Sequence, residues 1–399
     1  HHRNVTHGTR HRIEKYSKYA MKVTSLYKHQ NKIVSNLLPI PKEKIVFADV
    51  SGNVCIKNWN DMTINSTIKV TNESITDVRY TDNYGSPLLF SATENGNCYV
   101  TSIKEKYTTN LSSNFKNSNS NLNNYSNSYF ADGSSGGATG GTFDNDIQYE
   151  NKTFYETSSR ASFQLFPDAV FPCHMHQAID EWNMRLYSYA SHKSSEFKIR
   201  DLRADRFLPS IKPKKGSTKS LLLNPKAENI VALCGRGFEI YDLRTSHDEP
   251  QIYVIEQLLY PPFMVQFVDN SIPTFAISSK KSSVTKIDAR HPEGAQTLEL
   301  IYNMEIKHVM PSAFATCNTK VQIGKELTSV ASLSHEFGIS FFDVDNYAQE
   351  LLPQNPKIGM KISNSSALAF HPEKYELSFV NNANFILNAA PETQNTSRF

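Results

Sequence analysis

Four short motifs carry the residue types that could do chemistry. Cys234-Gly235-Arg236-Gly237 has the glycines of a phosphate-cradling loop. Such a loop opens a helix, and "FEIYDL" (Phe238–Leu243) after it alternates like a strand, so this stretch reads as a hairpin turn whose glycine supplies a positive φ. "CHMH" (Cys173–His176) offers metal donors. On a strand only His174 and His176 share a face, and no second ligand pair stands at zinc-like spacing, so no metal is expected. Lys212, Lys214, Lys215 and Lys219 crowd one stretch, "IKPKKGSTK", and form a candidate anion-binding site. Asp-x-Arg recurs at Asp201/Arg203, Asp242/Arg244 and Asp288/Arg290. An aspartate closing a strand caps the turn, and an arginine two residues on offers a planar fork to carboxylates, so Arg203, Arg244 and Arg290 are candidate partner-binding residues. No Gly-x-Ser-x-Gly elbow or reactive cysteine setting is present, and neither enzyme activity, cofactor nor small-molecule substrate is expected.

The elements that position these motifs are strands. Runs of four to eight residues separated by turn residues fill the chain, and helix-length apolar periodicity is missing. One hairpin pattern repeats: Lys44–Asn58, Pro87–Ser102, Arg185–Arg203, Asn229–Asp242, Thr274–Arg290, Ser329–Val344 and Leu377–Ala389. Their closing positions (Asn58, Ser102, Asp201, Asp242, Asp288, Asp343, Ala389) recur about every 40 to 45 residues, with a longer gap before Asp343 and one before Asp201 that holds an insertion. Four strands per period give an all-β, seven-bladed propeller. Inner strands are expected at Ile33–Leu38, Ile75–Tyr80, Val170–Met175, Ser220–Leu223, Met264–Val268, Ala313–Cys317 and Ala367–Phe370. The last hairpin has no strand after it, while "MKVTSLY" (Met21–Tyr27) precedes the first, so the N-terminal strand should close the last blade.

The organisation expected is a basic, His-rich tail (1–20), the closing strand with blades one and two (21–104), an Asn/Ser/Gly-rich disordered insertion (105–160), blades three to seven (161–389) and a tail (390–399). The formal charge of +3 over 399 residues is too small for the whole body to be a nucleic-acid binder. Five scattered cysteines without CxxC fit a reducing compartment; with no signal sequence or apolar span, the cytoplasm or nucleus is the expected location.

The chain resembles the WD-repeat (WD40) propellers. Lys28-His29 stands where that family has Gly-His, and "RDLR", "YDLR" and "IDAR" resemble its Trp-Asp ending. The family's tryptophan position holds Lys57, Thr101, Arg200, Tyr241, Ile287, Phe342 and Asn388, so its His-Ser-Asp-Trp hydrogen-bond network is expected to be absent. The resemblance implies a scaffold that binds other proteins. Asp-x-Arg also resembles the motif through which WD-repeat substrate receptors dock on cullin-type ubiquitin ligases. A third reading is a propeller that uses its basic tail and loop on anionic membrane or nucleic acid, although the lipid-binding signature Phe-Arg-Arg-Gly of some propellers is missing.

Overall fold

The computed structural model describes residues 21–62, 66–83, 85–111, 149–166, 174–191, 194–224, 229–244, 251–255, 258–268, 274–323, 325–346, 348–352 and 361–391. Seven four-stranded antiparallel sheets make up a seven-bladed β-propeller. From the centre outward, blade 4 for example runs Thr218–Asn224, Asn229–Cys234, Gly237–Asp242 and Gln251–Ile255. Blade 7 is built from Ala367–Phe370, Leu377–Val380 and Phe385–Pro391, and its fourth strand is Met21–Lys28 from the other end of the chain. The expected closure is therefore present, with Met21 opposite Pro391 and Lys28 opposite Phe385.

The apolar runs are nearly continuous because each blade is covered on both faces. Ile230 and Ala232 pack toward blade 3, while Val231 and Leu233, pointing the other way, pack toward blade 5. Seven buried clusters result, one between each pair of neighbouring blades. Met21 and Val23 belong to the cluster between blades 6 and 7.

Polar side chains lock the seam where the ring closes. Asn384, in a turn of blade 7, accepts from the Ile33 N–H (2.8 Å) and donates to the carbonyls of His29 (2.8 Å) and Asn31 (2.6 Å). His29 Nε2 bonds the buried Asp49 carboxylate at 2.7 Å, and Tyr27 Oη lies 3.2 Å from His29 Nδ1. The Lys57 ammonium stands 4.4 Å from the centre of the Tyr27 ring. A histidine–aspartate bond thus exists in blade 1, although Lys57 stands at the tryptophan position and the four-residue network is not complete there. A lysine over a tyrosine ring occupies the outer end of it.

Blade 3 shows a second substitute. Arg200 packs on both Phe163 of blade 2 and Phe207 of its own blade, 4.6 and 4.7 Å from the centres of rings that meet edge to face at 81°, and it bonds Asp205 at 2.6 Å. Arg200→Ala should destabilise the protein by about 2 kcal/mol, with Arg200→Lys recovering only part, because lysine lacks the broad, delocalised guanidinium that can meet two rings at once. Urea unfolding of the two variants and the native protein checks this; equal stability of all three would show that these ring contacts contribute nothing.

Three boundaries differ from expectation. The inner strand of blade 1 is Leu38–Ile40, and Ile33 makes only an isolated bridge to Asp49. That of blade 3 is Met175–Asp180 rather than Val170–Met175; residues 170–173 lie outside the described residues. Its position is set across the seam, where Met175 exchanges bonds with Thr76 Oγ1 (3.1 and 2.9 Å) and the Gln177 N–H donates to Asp77 (3.1 Å), partners no local pattern reveals. The flanks of the expected insertion are strand: the third strand of blade 2 continues to Leu111 and the fourth is Tyr149–Gln164. An outermost strand needs little apolar content, so its Thr/Ser-rich sequence read as loop. Residues 112–148, and both terminal tails (1–20 and 392–399), lie outside the described residues. Within Glu105–Phe154 the described residues, 105–111 and 149–154, are strand. The long gap before Asp343 is explained by two extra hairpins, Ile301–Ile306 and Val321–Thr328.

Candidate interaction surfaces

Alternating strand direction gives the ring two distinct faces. Loops joining first to second and third to fourth strands emerge on one, here called the arginine face. Second-to-third turns and blade-to-blade connections emerge on the other, the crossover face.

Asp201, Asp242 and Asp288 each end the third strand of blades 3, 4 and 5, opposite the first residue of the second strand (Arg185, Asn229, Thr274). The three motifs are therefore equivalent positions in consecutive blades, all on the arginine face. In blade 4 Asp242 Oδ1 accepts from the Arg244 N–H (2.9 Å) and Nε (3.0 Å), and Oδ2 from Nη2 (2.8 Å). Blade 5 repeats the fork, with Arg290 on Asp288 at 2.9, 3.1 and 2.9 Å. The arginine bonds hold both carboxyls below the usual aspartate range. In blade 3 the turn is capped through the Ala204 and Arg203 N–H groups (2.9 and 3.0 Å), which lower Asp201 likewise. All three arginines are exposed, Arg244 at 66% and Arg290 at 68% of the side chain. Blade 6 keeps the capped turn through Asp343, but Asp345 replaces the arginine and is bonded to Lys286 of blade 5. The arc of arginines thus ends at blade 5.

The sequence reading missed Trp182. It stands 78% exposed on the inner turn of blade 3, its N–H held by Asp180 (3.1 Å). The Leu202 N–H donates to the Met184 carbonyl (2.9 Å), so the turn bearing Trp182 lies against the turn bearing Arg203. The signal was available: an acidic-Trp-Asn turn between two strands displays its ring.

Cys234-Gly235-Arg236-Gly237 is a turn between the second and third strands of blade 4, Cys234 pairing with Gly237. Gly235 has φ +55°, and a Cβ there would stand 2.4 Å from the Lys215 carbonyl oxygen, so glycine is required both by the backbone and by the neighbouring loop. That loop holds Lys212, Lys214 and Lys215, all exposed on the crossover face. Lys219 is half-buried and bonded to the Gly235 carbonyl. The expected anion-binding lysines and the arginine arc therefore occupy opposite faces.

His174 and His176 line the central channel, a cavity of about 420 Å³ whose wall includes Asp77, Arg79, Gln177 and Tyr189. His176 stacks on Tyr189, and Arg79 forks onto the buried Asp77 at 3.1 and 3.1 Å, which burial still pushes up to about 6. Cys173 lies outside the described residues. Among the described residues no group of three or more His, Cys, Asp or Glu is placed to hold a metal, and no helix is long and apolar enough to cross a membrane.

No family profile and no curated protein matches the sequence. Among solved structures the chain is similar to Raptor of Chaetomium thermophilum, with a TM-score of 0.63 at 12% identity, over 94% of this chain and 30% of that one. The likeness is one of fold. The chain spans 30% of the Raptor chain it matches.

Proposed function

We propose that the chain is a non-enzymatic scaffold of the WD-repeat type that binds other proteins through Trp182, Arg203, Arg244 and Arg290. The observation that carries this reading is the arc itself. Equivalent turns of three consecutive blades present exposed arginines on one face, two of them clamped by their own aspartates, beside an exposed tryptophan. Trp and Arg dominate interface hot spots, and a side chain already held in place loses little freedom on binding. The WD-repeat assignment is supported by the His29–Asp49 bond, which is half of that family's network, and by a ring closed with the N-terminal strand.

Because Arg244 is exposed and bonded within its own turn, Arg244→Ala should change folding stability by no more than about 0.5 kcal/mol. Partner binding should weaken by about 1 kcal/mol or more, roughly fivefold in Kd. Affinity purification with mass spectrometry, comparing the native protein with Trp182→Ala and with alanine at all three arginines, tests the reading. Partners retained by the native protein and lost by both variants support it; an unchanged partner set places binding elsewhere. A second reading, a substrate receptor of a cullin-type ligase, is favoured by the Asp-Arg forks of blades 4 and 5. It requires that a cullin adaptor be among the partners lost with Arg244 and Arg290.

A further inference from the structure

The crossover face of blades 3 to 6 carries a second, chemically different surface. Backbone bonds tie its loops and turns into one continuous rim. The Thr218 N–H donates to the Ser194 carbonyl (3.3 Å), Leu258 to Arg236 (2.9 Å), Lys280 to Pro261 (2.8 Å) and Ser312 to Ser334 (2.8 Å). Ser282 Oγ bonds the Val309 carbonyl, joining the connection after blade 5 to the same rim.

Cations line it in order. Lys212, Lys214 and Lys215 sit in the loop packed on Gly235, Arg236 projects from the adjoining turn, and Lys280 and Lys281 form the equivalent turn of blade 5. Lys280 is half-buried and the other five are exposed. The Lys219 ammonium is held below the ordinary lysine value, by burial first and then by Lys280 and Arg236, which places these three charges close together. Among the described residues, the acids beside these cations are engaged, and Glu336 is an exposed acid farther along, in the equivalent turn of blade 6. Glu239 is buried and accepts from the Lys214 N–H and Tyr241, Glu196 binds Lys198 and Ser210, and Glu299 binds Tyr260.

Between and beyond the cations stand aliphatic tips. Leu259 is 44% exposed, one residue after Leu258, which is bonded to the Arg236 turn. Met310 is 62% exposed, next to Val309. Met304, 89% exposed, occupies the tip of the Ile301–Ile306 hairpin, whose base is fixed by Tyr302 stacking on Phe337 at 4.5 Å. Glu305 on that hairpin is paired with Lys307 at 2.7 Å.

We propose that this sector of the crossover face docks peripherally on an anionic lipid bilayer, its lysines and Arg236 over the headgroups and Leu259, Met304 and Met310 entering the interface. Cations alone would suit a phosphodiester backbone equally well. Nucleic-acid surfaces add rings that stack on bases, whereas the rings described on this face are engaged with neighbours: Tyr260 lies beneath Lys281, against His308, and is bonded to Glu299, and Tyr302 stacks on Phe337. Exposed aliphatic side chains among cations match the interfacial region of a membrane, where apolar burial and headgroup attraction act together. The face is opposite to the arginine arc, so the proposal stands apart from the protein-binding reading.

The test is flotation of the full chain with phosphatidylcholine vesicles and with mixed phosphatidylcholine–phosphatidylserine vesicles at roughly 7:3. Binding is expected to the mixed vesicles only, and to fall as ionic strength rises from about 0.1 M to about 1 M. Lys215→Glu with Arg236→Glu and Lys281→Glu should lower partitioning at least about tenfold. Leu259→Ser with Met304→Ser and Met310→Ser, which leaves the charge unchanged, should lower it by about fivefold or more. Lys325→Glu, exposed on the opposite face, should leave it unchanged. Melting curves confirm that each variant is folded; should the charge-reversed one fail, the salt series on the native protein and the serine variant still decide. Absence of native binding to the mixed vesicles overturns the proposal, as does partitioning of either patch variant equal to that of the native protein. Binding to single-stranded RNA that is lost on charge reversal but indifferent to the serine substitutions also overturns it, and assigns the face to nucleic acid.

Discussion

A chain beginning at His29, without the strand Met21–Lys28, is expected to melt about 10 °C below the full chain. Removing the strand strips blade 7 of its outer pairing partner along Phe385–Pro391 and takes Met21 and Val23 out of the core between blades 6 and 7. Two buried apolar side chains contribute about 4 kcal/mol together. At about 2–4 °C per kcal/mol for a chain of a few hundred residues, that loss gives the stated shift. Blade 7 also gains an open edge, a template for pairing with other chains. Amide exchange should therefore rise in Leu377–Pro391 before it rises in blade 4, and the shortened chain should self-associate. An unchanged melting temperature, with exchange in that segment as slow as before, would mean the strand adds nothing to closure.

Asp49→Ala should cost about 3 kcal/mol or more, since each buried donor left without its acceptor costs about 1–3 kcal/mol. Asp49 is fully buried and accepts from His29 Nε2 (2.7 Å) and from the N–H groups of Ser51 (2.9 Å) and Asn53 (3.1 Å), so alanine leaves several buried donors without an acceptor. Asp49→Asn keeps an acceptor and should cost less. The pH dependence follows. Burial by itself would raise the Asp49 carboxyl, but the bonds from His29, Asn53 and Ser51 outweigh it and hold the group below its ordinary value. A depressed folded value means that the stabilisation is complete above about 3.9, the unfolded value, and disappears as pH falls through the folded one. Chemical denaturation of the native protein should therefore lose stability on acidification more steeply than Asp49→Asn does. Parallel pH profiles would remove Asp49 from the account.

The two effects share a cause, since strand and bond both lie at the seam where the ring closes. Arg244→Ala, on a turn satisfied within itself, is expected to be nearly silent in stability, and that contrast separates positions that hold the ring from positions it displays.

Blade number, the hairpins and the closing strand are determined by the sequence alone. Strands covered on both faces read as apolar runs such as "NIVALC", turns read as polar or glycine, and a strand missing at one end with a spare at the other leaves one way to pair both. The Asp-Arg motifs are equally local: an aspartate caps the turn two residues on, so their equivalence follows from the repeat. Inner-strand limits in blades 1 and 3 depend on partners far away in sequence, Asp49 for Ile33 and Thr76 for Met175, and a one-dimensional pattern holds no trace of them. The flanks of the insertion are strand because an outermost strand draws its order from a neighbour rather than from its own apolar content. Tertiary structure alone decided that Arg200 would meet rings of two blades and that Lys57 would lie over Tyr27. It alone put the arginines and the lysines on opposite faces, because a face is fixed by the direction each strand takes through the ring, and composition is indifferent to direction.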